Sequence, residues 1–322
     1  MPHDTTSRTF RCPSKVNLAL SVGSPRADGY HPIASWMVAI DLYDDLVVTP
    51  LAANRTSVYA IDWATDAPRR SPIDWPLKSD LAVRAHQLIE QHVGRSLPVR
   101  MRLAKRIPAG AGLAGGSSDG AGMLRAINDV FDLQLPTATL VELAMQLGSD
   151  LGFFFAGGSA LVTGRGEHIE PAPLIRPIHL LLLLPELACP TGAVYRAFDE
   201  LSPNATVDEV AVRRLATGWH GQTKFAREEH TGKLALAHGT PPLDPASPFN
   251  DLASPAEVVE PRLCELRRRC ADLIARPVHI TGSGAGMFAI AADHDDARHI
   301  AQTISSQINT IAALAVQTAT RG

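Results

Sequence analysis

Residues 108–120, Pro-Ala-Gly-Ala-Gly-Leu-Ala-Gly-Gly-Ser-Ser-Asp-Gly, constrain this chain more than any other stretch, because five of them are glycine and two are adjacent serines. Upstream, Val99, Met101 and Leu103 alternate with Arg100 and Arg102, the pattern of a half-buried strand. Downstream, Leu124, Ile127 and Phe131 recur at helical spacing, with Ser117 or Ser118 as the expected N-cap. The predicted order is strand, glycine loop, helix. Such an order leaves backbone N–H groups unpaired at a helix start, where they and the helix dipole favour an anion such as a phosphate. A flexible structural turn is the plain alternative. Gly110, Gly112 and Gly115 also spell G-x-G-x-x-G, but a dinucleotide fold requires an acidic residue after a second strand. Asp129 and Asp132 fall on or at the end of the helix instead. No G-x-x-x-x-G-K-[ST] occurs, so a P-loop is excluded.

The rest of the chain bounds the setting of that loop. A length of 322 residues predicts about two domains, and 45% hydrophobic with 20% charged residues allows each a proper core. A net charge of -3 gives no reason to expect nucleic acid as a partner, and the basic run Arg267-Arg268-Arg269 reads as the solvated face of a helix. Cys12, Cys189, Cys264 and Cys270 are scattered without metal-type spacing, as reduced thiols of a cytoplasmic protein would be. Residues 1–8 are polar and lack a signal-peptide core. The apolar run 180–184 is too short to span a bilayer and reads as a buried strand, so no membrane is expected as a partner.

Along the chain, Val16, Leu18, Leu20 and Val22 share one predicted strand face, which puts Lys15, Asn17, Ala19 and Ser21 on the other as exposed residues. Strands follow over 33–50, and residues 51–78 read as a loop or hairpin. Leu81, Ala85, Leu88, Ile89 and His92 form a helical stripe capped by Ser79 or Asp80. Another helix starts at Pro136 or Thr137 and ends at Gly148, just before Asp150. Strands are expected over 159–162 and 178–184. Residues 203–249 hold a charged helix and a proline-rich tail (Pro241, Pro242, Pro245, Pro248). Ser254-Pro255-Ala256-Glu257 reads as a capping box opening a helix toward Ile274, with a bend at Pro261. A strand, glycine turn and strand over 278–288, a helix over 295–308 and a strand over 311–316 close the chain.

Pro108, Gly112, Leu113, Gly115, Gly116, Ser117 and Ser118, in one register, resemble the phosphate-binding motif of the GHMP kinases, the superfamily of galactokinase, homoserine kinase and mevalonate kinase. Pro13-Ser14-Lys15-Val16-Asn17-Leu18, followed by Arg26-Ala27-Asp28-Gly29-Tyr30-His31, is similar to the opening of one branch of that superfamily. That branch phosphorylates a cytidine diphosphate methylerythritol in the non-mevalonate route to isoprenoids. Homoserine and mevalonate kinases lack the Tyr30-His31 string.

The resemblance implies an α+β, two-domain GHMP kinase fold. Residues 1–172 would form a ribosomal-protein-S5-domain-2-like ATP-binding domain, and residues 173–322 a ferredoxin-like domain. It implies ATP and Mg²⁺ as cofactors. Pro108, Gly110, Ala111, Gly112, Leu113, Ala114, Gly115, Gly116, Ser117 and Ser118 would bind ATP, with Ser118 meeting the metal. Lys15 and Asp150 would be catalytic, Asp150 because Gly148-Ser149-Asp150 followed by aromatics matches the family pattern. Asn17 would assist the acceptor hydroxyl, while Tyr30, His31 and Tyr195 would hold the cytosine, with Tyr30 and Tyr195 sandwiching it. The partner is then a small molecule, and the protein a monomer or weak homodimer. Two departures stand out: Gly152 where the family has proline, and Asp80 where it has asparagine. They leave open a nucleotide-binding regulator without catalysis.

Overall fold

Alternating apolar residues in the first half of the chain build a forked sheet. The computed structural model describes residues 6–219 and 247–319. Strand β1 (Arg8–Val22) pairs antiparallel with the long β2 (Ile33–Pro50). The other edge of β2 is shared: its second half pairs with β4 (Val99–Lys105), which carries β3 (Val58–Trp63) in parallel. Its first half pairs with β5 (Ser159–Gly164), which turns back into β6 (His168–Pro171). Residues 51–78 therefore hold a parallel edge strand rather than a hairpin, and β6 is a further strand between the two expected over 159–162 and 178–184.

Helices α1 (Leu81–Val93), α2 (Gly115–Val130) and α3 (Thr137–Leu147) cover one face of this sheet, burying Leu46, Met101 and Leu103 against Ile89, Leu124 and Leu143. Asp80 caps α1 as expected, its carboxylate accepting from the Ala82 N–H at 2.9 Å. Neither Ser117 nor Ser118 caps α2. The helix begins at Gly115, and its N-cap is Ala114 in the left-handed region (φ 53°, ψ 34°), which turns the chain without a side-chain cap.

Strand β7 (His179–Pro185) opens a second sheet. Its five leucines are buried on both faces: Leu180, Leu182 and Leu184 pack against Val16, Leu18, Trp36 and Val38 of the first sheet. Leu181 and Leu183 pack against a second helical layer. After β7 come α4 (Thr191–Leu201) and α5 (Glu209–Gly218), then the two-residue β8 (Phe249–Asn250), α6 (Ala253–Val259) and α7 (Pro261–Ile274). The chain closes with β9 (His279–Ile280), β10 (Met287–Ala291), α8 (His294–Gln307) and β11 (Ile311–Gln317). The second sheet runs β11-β7-β10-β9, all antiparallel, the order of a ferredoxin-like split βαβ arrangement.

Although they lie beyond residue 172, α5 buries Val212 and Leu215 against the first sheet, and β8 pairs parallel with β1. The expected helix from Ser254 is two helices. Proline disfavours a helical conformation at the residue before it, so the chain breaks at Glu260 and its carboxylate caps α7 instead. Pro241, Pro242 and Pro245 lie outside the described residues. Among the described residues, no helix is long and apolar enough to cross a membrane.

Candidate active site

β1 is bulged between Pro13 and Ser14 and again between Asn17 and Ala19, so the simple two-face alternation fails there. Lys15 and Asn17 are not exposed. They are 3% and 2% accessible, buried under the glycine loop. The Lys15 N–H donates to the Leu113 carbonyl at 3.1 Å, and its ammonium donates to the Gly112 carbonyl at 2.9 Å and to Asn17 Oδ1 at 2.7 Å. Asn17 is held in turn: its Nδ2 donates to Ser35 Oγ at 2.8 Å, and its backbone N–H donates to Thr281 Oγ1 at 2.9 Å. The Lys15 ammonium lies 3.8 Å from Asp150 Oδ2. Burial pulls the Lys15 pKa down, and the Asp150 charge partly opposes that shift.

These residues face a cleft of about 480 Å³. Pro108, Gly110, Ala111, Gly112, Leu113, Ala114, Gly115, Gly116 and Ser117 line it, together with Lys15, Asn17, Asp150 and Tyr195. The loop is clamped from behind by residues 281–286. Gly112 has a φ of +70°, and a Cβ there would stand 2.3 Å from the Thr281 carbonyl oxygen. The Gly286 N–H donates to the Ala111 carbonyl at 3.2 Å, and Asn250 Nδ2 donates to the carbonyls of Ile280 and Gly282 at 2.9 and 2.8 Å. Within α2 the Ser118 N–H donates to the Ala114 carbonyl at 2.9 Å, so the N–H groups before it have no intrahelical acceptor. The loop is pinned by these contacts rather than left as a loose turn, and free N–H groups at a helix start are of the kind that suit an anion.

Three expected residues are not on the cleft wall. Ser118 is 1% accessible, and its hydroxyl is buried without a hydrogen-bond partner. The His31 ring packs tilted against Tyr195, with ring centroids 4.7 Å apart, and its Nδ1 lies 2.9 Å from the Gly23 carbonyl oxygen. Its Nε2 lies 3.6 Å from Asp199. Tyr30 is 53% accessible and carries the Arg165 guanidinium over its ring at 3.8 Å. Tyr195 thus has His31, not Tyr30, as its ring neighbour. Burial, with a contribution from Asp150, pushes the Tyr195 hydroxyl up to about 12, so it stays protonated.

The chain also holds a group that local patterns did not single out. The Lys105 ammonium donates to Asp44 Oδ2 and to Asp119 Oδ2, both at 2.6 Å, and all three side chains are buried. The other Asp44 oxygen accepts from the N–H groups of Arg106 and Ile107. Asp119 Oδ1 has no partner, and Asp119 and Lys105 both reach the cleft. Burial raises the Asp119 pKa well above the ordinary carboxylate value. The position of Lys105 just before the loop and of Asp119 just after the serine pair was the available signal. Trp75 and Asp80 line the cleft as well, the indole N–H donating to Asp80 at 3.1 Å. An amide cradle, a buried ammonium and an accessible carboxylate in one cleft suit transfer of a phosphoryl group to an alcohol.

Residues 80–158 match the family described as GHMP kinases N terminal domain. Mevalonate kinase from L. major in complex with R-mevalonate shares the fold at a TM-score of 0.65 and 15% identity, over 99% of this chain and 98% of that one. Fold and cradle together define a GHMP kinase. A crystal structure of 4-(cytidine 5'-diphospho)-2C-methyl-D-erythritol kinase matches 98% of this chain and 100% of that chain, with a TM-score of 0.71 and 30% identity. The 4-diphosphocytidyl-2-C-methyl-D-erythritol kinase of Thermobifida fusca (strain YX) is 33% identical over 305 residues, covering 93% of this chain and 92% of its own. The chain belongs to the 4-diphosphocytidyl-2-C-methyl-D-erythritol kinase family.

Proposed function

We propose that this enzyme transfers the γ-phosphoryl group of ATP to the 2-hydroxyl of 4-diphosphocytidyl-2-C-methyl-D-erythritol. The observation that carries this reading is the Lys15–Asp150 pair, 3.8 Å apart at the mouth of the glycine cradle. The backbone amides of the loop take the phosphates, and the apolar side chains of Trp75, Leu81, Ile107 and Pro108 suit the adenine ring. Asp150 accepts the proton of the acceptor hydroxyl and holds it in line. In a loose phosphoryl transition state, orientation contributes more than proton abstraction. Lys15 neutralises the charge that gathers between Asp150 and the phosphoryl oxygens. Asn17 fixes the Lys15 ammonium through Oδ1 and keeps one amide N–H for the acceptor. Tyr195, backed by His31, offers the cytosine a ring face, while Tyr30 closes over the base only by leaving Arg165.

Hard oxygen donors suit Mg²⁺. The unpartnered buried oxygens Ser118 Oγ and Asp119 Oδ1, near the start of α2, fit that requirement and would hold the ion. Bound there, it would spread the charge of the β- and γ-phosphates. The reaction would take place in the cytoplasm, in keeping with four cysteines that are all free thiols.

A coupled ADP-release assay with the cytidine compound, run beside homoserine, mevalonate and galactose, tests the reading. Turnover on the cytidine compound alone, abolished in Asp150→Asn, is expected. ADP release only with another alcohol would overturn the acceptor assignment, and nucleotide binding without turnover on any of them would leave a regulator.

A further inference from the structure

A second cavity, of about 670 Å³, shares no lining residue with the active cleft. It opens between β1 and the short 3-10 turn Gly152–Phe155, along the half of α2 remote from the phosphate loop. Two guanidinium groups line it. Arg11 lies 4.0 Å over the ring of Tyr43, and Arg125 lies 4.8 Å over the ring of Phe155 while donating to the Phe154 carbonyl. Neither forms an ion pair among the described residues. Asp41, whose charge reaches Tyr43, is engaged by the Gln317 N–H at 2.8 Å.

Arg125 is half-buried without an ion-pair partner, which is costly, and an aromatic face offsets only part of that cost; Arg11 reaches the same cavity from its exposed rim. Arg125 shows the strain electrostatically, since burial lowers its pKa. Two forked donors facing one cavity match an anion of two charges, such as a phosphate, better than a single carboxylate. The rest of the lining includes the rings of Phe10 and Phe153 with the apolar side chains of Pro13, Ala39 and Leu140. We propose that this cavity is a second ligand site, which takes a small phosphate ester with a flat apolar body. The phosphate sits on Arg11 and Arg125, and the body lies among the aromatic rings. The site is separate from that of the nucleotide. The elements forming it are the ones that carry Asp150 and the phosphate loop, so an occupant would touch the supports of the active cleft without entering it.

The test uses 1-naphthyl phosphate as probe and isothermal titration calorimetry on the full chain saturated with a non-hydrolysable ATP analogue. No turnover is needed, so the outcome is independent of the reaction proposed above. The probe is expected to bind beside the nucleotide, with inorganic phosphate and 1-naphthol each at least about tenfold weaker. Arg11→Gln, which changes an exposed strand residue, should weaken the probe by about tenfold or more while nucleotide affinity and thermal midpoint hold. Thr137→Trp, at the exposed start of α3, should block the cavity and abolish binding, which keeps the test open if the arginine variant folds poorly. Absence of binding in the nucleotide-saturated protein, or equal affinity in wild type and both variants, would overturn the proposal.

Discussion

The proposed chemistry converges on one atom, the Lys15 ammonium nitrogen. Its ammonium is buried, touches two oxygen acceptors within 2.9 Å and lies 3.8 Å from Asp150. Burial lowers its pKa below the ordinary 10.5, so the charged form is lost at a lower pH than for an exposed lysine. The alkaline limb of the kcat/KM profile should therefore begin below the usual lysine range. The stability effect has a definite sign. Between the lowered folded value and 10.5, the unfolded chain binds more protons than the folded one, so this group adds stability as pH rises through that window. Urea titrations of wild type and Lys15→Met at increasing alkaline pH should show wild type gaining relative to the variant. Asp150→Asn should lower kcat by about 10²–10⁴-fold with ATP affinity nearly unchanged, as measured by single-turnover kinetics and calorimetry. Gly152, in the place of the family proline, is not forced by packing, because the atoms nearest to an added Cβ are ends of side chains that can move. A Cβ there would stand 2.6 Å from Ile169 and 2.8 Å from Met145.

The proposed phosphate loop keeps its shape because another element holds it. Gly112 interlocks with residues 281–286, and positive φ combined with a backbone oxygen at the Cβ position forbids a side chain. Gly112→Ala should cost about 1–3 kcal/mol from the strained backbone alone and weaken ATP binding, read by urea unfolding and nucleotide titration. Asp80 illustrates a shared role. It caps α1, accepts from Trp75 and lines the cleft, so its departure from the family asparagine keeps the cap. Asp80→Ala should cost about 1 kcal/mol of stability through the lost cap. α1, α3 and the strand before the loop were legible from periodicity and caps. The start of α2 was not, because a left-handed alanine at its N-cap has no side-chain signature.

At the scale of the whole chain, Lys105, Asp44 and Asp119 tie β4, β2 and α2 together through one buried ammonium. Lys105→Met would leave two buried carboxylates uncompensated and should cost about 3–5 kcal/mol in denaturant unfolding. The second sheet has its own acid sensitivity. Burial pushes His279 down to about 4, with Arg267 adding to the shift, from an ordinary 6.5. The unfolded chain therefore binds the extra proton between those values, and stability falls as pH drops through that window. His279→Gln should flatten this part of the stability profile.

What the residues determined by themselves was local: the strand–glycine loop–helix order, the buried leucine strand, the cap at Asp80 and the pattern that marks Lys15 and Asp150. These depend on spacing within a few residues. Tertiary structure alone decided that Lys15 lies buried beside Asp150, that Tyr195 meets His31 rather than Tyr30, and that Lys105 bridges two aspartates. It also decided that α5 and β8 return to the first sheet. Each of these joins segments far apart in the chain, and their meeting follows from how two sheets and their helices pack to remove apolar surface from water, a property no short window of sequence contains.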